Sequence, residues 1–114
     1  MDCLFCKIVA GTIPAKKVFE DHDAIAFRDI HPQAPVHILV VSKKHYSSLA
    51  DVGASVEEQA LLGHLLSVVN QIAQTEKLAH GYRTVINTSK DGGQTVDHLH
   101  LHLLGGRAMQ WPPG

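Results

Sequence analysis

The sequence predicts a single α+β domain, and three stretches carry that prediction. In Asp97–Leu104, three histidines alternate with leucines, the two-residue period of a strand with one buried face. Ser55-Val56-Glu57-Glu58 is an S-x-x-E capping box, and apolar residues follow it at helical spacing to about Thr75. Lys17–Glu20 and Ala24–Asp29 flank the tight turn Asp21-His22-Asp23 and read as a hairpin.

The remaining elements fall between these. Cys3–Ala10 can form a short helix or turn ending at Gly11, with Phe5, Ile8 and Val9 as buried candidates, and Thr12-Ile13-Pro14 breaks it. Ile30-His31-Pro32-Gln33-Ala34-Pro35 cannot be regular, because each proline lacks an N–H and holds its predecessor extended. Val36–Ser42 is a mostly apolar strand suited to the middle of a sheet, with His37 its one polar interior residue. Lys43-Lys44-His45 leads into a turn of helix near Tyr46–Asp51. In the long helix, Leu62 and Leu66 widen the apolar stripe beyond what one sheet face requires, which hints at a subunit contact. Gly81 restarts the chain, Tyr82–Asn87 is a fourth strand, Thr88–Gln94 a polar loop, and Thr95 begins the histidine strand.

With 114 residues, the chain is expected to form one domain over 1–114. A hydrophobic fraction of 45% and a charged fraction of 18% are those of an ordinary globular protein. The net charge of −1 gives no electrostatic footprint of nucleic acid or of an anionic membrane. No apolar run approaches a membrane span, and Met1-Asp2-Cys3 does not open a secretory signal, so the expected compartment is the cytoplasm. The two cysteines, Cys3 and Cys6, are spaced C-x-x-C, which in a cytosolic chain reads as a metal half-site or a redox pair. Their place so near the terminus favours metal.

If Leu99, Leu101 and Leu103 enter the core, His98, His100 and His102 stand in a row on the opposite face. Neighbouring rings on such a row are separated by about 6.6–6.8 Å at the backbone, so the outer pair is too far apart to share one metal ion with the middle one. A central nucleophile with a helper on each side suits the spacing better. His100 would attack phosphorus through an unprotonated nitrogen, its other nitrogen held by an acceptor such as a backbone carbonyl. The preceding loop, Asp91-Gly92-Gly93-Gln94-Thr95, can offer backbone N–H groups as an anion nest. His102 with Gln94 or Thr95 could then stabilise the non-bridging oxygens, and the Thr95 hydroxyl could relay a proton to an amine leaving group.

The run HLHLHLL resembles the His-x-His-x-His-x-x motif of the histidine triad (HIT) superfamily. FRDIHPQAPVHILVVSKKH, GGQTVDHLHLHLLGGR and the terminal WPPG together resemble its HINT branch, the purine nucleoside phosphoramidases, over nearly the whole chain. The resemblance implies an α+β fold with a five-stranded antiparallel sheet, and a homodimer built partly on the long helix whose two sheets join. It implies hydrolysis of adenosine 5′-monophosphoramidate and related purine nucleotides through a nucleotidyl-histidine, with no cofactor needed for the chemistry. On the matching positions His100 would be the nucleophile, and His102, Thr95, Gln94 and Gly93 would surround the phosphate. His98 and His37 would support the active ring. Asp29 would accept from the ribose, Asn87 would lie near the phosphate or leaving group, and Phe5, Ile8, Phe27, Ile30 and Leu39 would wall the base. Trp111 would reach toward the partner's site.

Two positions depart from the branch: Thr95 stands where a serine is common, and Asp97 where a tyrosine is common. Cys3 and Cys6, with His45 and His98, also resemble a structural zinc site found in some HIT proteins. Three other readings are kept beside the leading one. A non-catalytic nucleotide-binding dimer, or a HIT hydrolase or transferase acting on dinucleotides, would share the triad. A zinc hydrolase would instead use the triad as ligands.

Overall fold

The computed structural model describes residues 3–114 and shows one five-stranded antiparallel sheet with a helix against each face. The strands are β1 (Lys17–Glu20), β2 (Ala24–Arg28), β3 (Val36–Ser42), β4 (Tyr82–Val85) and β5 (His100–Gly105), ordered β1-β2-β3-β5-β4. The short helix α1 (Leu4–Val9) starts at Cys3, whose side chain accepts from the Cys6 N–H, and the long helix α2 covers Val56–Thr75. Leu49–Asp51 is a single 3-10 turn.

The period of each element decides which face it buries. Leu99, Leu101 and Leu103 pack with Ala24, Ala26, Ile38 and Val40 beneath Leu65, Val68, Val69 and Ile72 of α2. The alanines of β2 let the helix approach closely. On the opposite face Ile25, Phe27, Leu39 and Val41 pack beneath Phe5 and Ile8 of α1. Register puts the histidines on this second face, since His102 lies opposite Leu39 and His100 opposite Val41. The capping box forms as the sequence predicts: the Ser55 hydroxyl accepts from the Glu58 N–H and the Glu58 carboxylate accepts from the Ser55 N–H.

Three expected boundaries move, each with a local cause. The histidine strand begins at His100 rather than Thr95, because the Leu99 N–H bonds to the Tyr46 carbonyl and the His98 N–H to Val96. β4 stops at Val85, and Asn87 turns into the loop, where its side-chain amide donates to the Gly92 carbonyl. β2 stops at Arg28, freeing the Asp29 carboxylate to accept from the His31 N–H at 2.8 Å.

Candidate active site

Strand β5, the bend before it and the antiparallel neighbour β3 bring four imidazoles together on the α1 face. His98 and His100 are buried, His100 only 5% exposed, and His102 is half-buried. Phe5 of α1 stands edge-on to the His100 ring, with centroids 5.1 Å apart, and the His102 ring is 5.0 Å away on the other side.

Partners that can act only one way fix the tautomers of two triad rings. A carbonyl only accepts, so Nδ1 of His100, 2.6 Å from the His98 carbonyl oxygen, carries the hydrogen. Nε2 of His100 is therefore the nitrogen with the lone pair. No described residue bonds it, and no buried side-chain nitrogen among the described residues lacks a partner, so it opens to solvent. Likewise Nε2 of His98 donates to the Ser42 carbonyl at 2.6 Å, leaving the Nδ1 lone pair free for another use. Burial pulls the pKa of His98, His100 and His37 below the ordinary 6.5, because a charged ring is poorly solvated there. In His102 burial and the neighbouring His100 and His37 rings bring it to about 4. At neutral pH the triad rings and His37 are uncharged, and His100 is ready as a nucleophile.

The freed Nδ1 of His98 faces a second cluster. It lies 3.2 Å from Sγ of Cys3, 3.5 Å from Sγ of Cys6 and 3.1 Å from Nδ1 of His45. Sγ of Cys6 is 3.3 Å from the same His45 nitrogen, and all four ligand atoms lie within 4.8 Å of one another. Two thiols and two imidazole nitrogens at this spacing suit tetrahedral zinc, with metal–nitrogen bonds near 2.0–2.1 Å and metal–sulfur bonds near 2.3 Å. The His98 tautomer fits too, since its lone pair faces the thiols. The C-x-x-C spacing needs no distortion: α1 turns Cys6 back over Cys3 within one helical turn.

The other expected residues divide. Asp29 and His37 join His102, with ligand atoms within 4.8 Å. Phe5, Ile8, Phe27 and Leu39 form one apolar cluster beside His100, whereas Ile30 stands 85% exposed and outside it. Trp111 is 84% exposed, on a tail tied to β4 by an Arg83 hydrogen bond to the Gln110 carbonyl. Gln94 does not keep its side chain free for a phosphate. Its amide donates to the Ser47 and Val96 carbonyls and its oxygen accepts from the Ser89 N–H, so it braces the loop. Gly93 adopts the left-handed φ of 75° that the loop needs. Thr95 is exposed and, with Cys3, His45, Ser47, Val96 and Asp97, lines a cleft of about 530 Å³ next to the thiol cluster. Ser42 was not legible as a site residue, because it acts through its carbonyl and any residue type supplies one.

Residues 10–109 match the HIT domain. An uncharacterised HIT-like protein of Synechococcus elongatus is 58% identical over 113 residues, covering 99% of this chain and 97% of that one. The crystal structure of a HIT family hydrolase from Legionella pneumophila superposes with a TM-score of 0.94 at 52% identity, over 99% of this chain and 100% of that one. A histidine triad nucleotide-binding protein from Candida albicans superposes with a TM-score of 0.82 at 31% identity, over 97% of this chain and 83% of that one.

Proposed function

The chain belongs to the HIT-domain family, and from that premise we propose that it hydrolyses purine nucleoside phosphoramidates through a covalent nucleotidyl-His100. One observation carries the reading: His100 has its Nδ1 hydrogen held by the His98 carbonyl and its Nε2 lone pair open. In the first step Nε2 attacks phosphorus, the P–N bond to the amine breaks, and the amine leaves with a proton that we assign to the Thr95 hydroxyl backed by water. In the second step water attacks phosphorus and returns a proton to Thr95, and the Nε2–phosphorus bond breaks with its electron pair going to Nε2, which releases the nucleoside 5′-monophosphate and restores the neutral ring. His102 donates to a non-bridging oxygen as charge builds. Asp29 takes the ribose hydroxyls, Asn87 lies by the phosphate or leaving group, and the apolar cluster of Phe5, Ile8, Phe27 and Leu39 takes the purine.

Zinc held by Cys3, Cys6, His45 and His98 would supply a structural tether between α1 and the start of β5, and none of the steps passes through it. The working unit in this reading is a homodimer in the cytoplasm. Leu66 on α2 is 51% exposed, and Tyr82 at the start of the edge strand β4 donates to Asn70 one helical turn further on. That continuous surface of helix and unpaired strand edge suits a second copy.

The test is rapid quenching of the enzyme with an adenosine phosphoramidate, followed by mass spectrometry of the peptide carrying His100. The expected product is an adenylylated His100 that appears before free AMP. Near wild-type turnover by His100→Gly would end the reading. Binding of AMP with no turnover of any phosphoramidate or dinucleotide would favour a nucleotide-binding role instead.

A further inference from the structure

We infer that the main-chain N–H of Gln33 starts a one-way hydrogen-bond relay through His37 that fixes the proton of His102 on Nε2. The Gln33 N–H is 3.0 Å from Nδ1 of His37, and an amide N–H can only donate. Nδ1 of His37 is therefore the acceptor, and the hydrogen of this ring sits on Nε2. That Nε2 is 2.9 Å from Nδ1 of His102, so the His37 hydrogen is donated there. Asp29 is the competing acceptor, but its Oδ2 lies farther off, at 3.5 Å. Having accepted at Nδ1, His102 carries its own hydrogen on Nε2, a nitrogen that no described residue bonds.

The direction of the relay has two chemical consequences. His102 presents a neutral N–H donor rather than a lone pair beside His100, and so cannot compete with it as a nucleophile. The low pKa of His102 agrees, because burial first, and then the neighbouring His100 and His37 rings, oppose a second proton. The relay also decides between the two clusters with metal-like spacing. Asp29, His37 and His102 lie within 4.8 Å, as the four residues at the thiols do. Yet a metal on Nε2 of His37 would force that ring's hydrogen onto Nδ1, against the Gln33 N–H 3.0 Å away, so the relay disfavours these three as a metal site.

The segment that supplies the donor is held in place. Arg107 Nε donates to the Gln33 carbonyl at 3.0 Å, and the Gln33 side-chain amide donates to the His31 carbonyl at 3.0 Å. The prolines at 32 and 35 stiffen the backbone on either side. Gln33 is a positioning residue that acts through an atom every residue but proline possesses.

The role in turnover rests on the phosphoramidase reading; the tautomers do not. Long-range ¹⁵N–¹H correlation of the imidazole nitrogens in substrate-free protein at pH 7 reads them directly. The expected pattern is hydrogen on Nε2 and a lone pair on Nδ1 in both His37 and His102. A hydrogen on Nδ1 of either ring overturns the relay, whatever the activity. Gln33→Ala, which loses the side-chain amide but keeps the N–H, keeps the pattern, whereas Gln33→Pro loses the N–H as well and shifts His37 toward a mixture. In Gln33→Pro, kcat on an adenosine phosphoramidate falls about tenfold with KM changed less than twofold. A folded Gln33→Pro that keeps both tautomers and full kcat overturns the relay, and one that fails to fold leaves the wild-type correlation to decide.

Discussion

The carbonyl oxygen of His98 accepts the Nδ1 hydrogen of His100 at 2.6 Å, and the ring of that same His98 is fastened at both ends. Its Nε2 donates to Ser42, and its Nδ1 faces Cys3, Cys6 and His45. Whatever fixes the His98 ring therefore fixes the acceptor that orients the nucleophile.

Protein purified without added metal is expected to carry about one equivalent of zinc per chain, measured by atomic emission. Cys3→Ser or Cys6→Ser lowers that content and the melting temperature together, because α1 loses its tether to the bend at His98. Metal content near zero, with an unchanged melting temperature in Cys3→Ser, would remove zinc from the picture.

Replacing His100 with glycine or alanine is expected to cut kcat on an adenosine phosphoramidate by about 10³-fold or more. The melting temperature should move little, since Phe5 and Val41 still cover the vacated side of the sheet. Circular dichroism alongside the assay separates the two effects.

Acid should destabilise the fold before carboxylates titrate. His37 and His102 have folded pKa values below the ordinary 6.5, that of His102 about 4, so the unfolded chain binds more protons between these limits. Stability from these rings is complete above about pH 6.5 and is lost as pH falls toward 4. Calorimetry from pH 8 to pH 4.5 should show a falling melting temperature, with a shallower slope in His102→Gln.

Ser55→Ala is expected to lower stability by about 1 kcal/mol, because the Glu58 N–H loses its acceptor at the start of α2. Urea unfolding measures it, and activity should be unaffected.

Leu66→Glu is expected to convert a dimer to monomer in sedimentation analysis. A wild-type chain that sediments as a monomer at micromolar concentration would end the homodimer reading.

The sequence is most informative where a side chain acts through its own chemistry and a period places it. The alternation of residues 98–104 fixes which face receives leucine and which receives imidazole, and the S-x-x-E signal places the start of α2. C-x-x-C likewise points to the cluster that His45 and His98 complete. Main-chain partners leave no such trace. The Ser42 carbonyl, the His98 carbonyl and the Gln33 N–H set the tautomers, yet none depends on residue type. Gln94 shows the opposite problem, since a residue apt for binding phosphate is consumed by three loop contacts that only the folded chain brings near.

The contact between Cys3 and His98 joins positions 95 residues apart. During synthesis the two thiols emerge first, and their imidazole partner at His98 follows after roughly 5–20 s of translation. A ribosome-bound fragment therefore carries both sulfurs without that partner, while α1, too short to persist alone, has no bend at His98 to dock on. Docking of α1 on that bend therefore waits for His98, and the nucleophile meets its Phe5 neighbour only once residues 98–100 have been made.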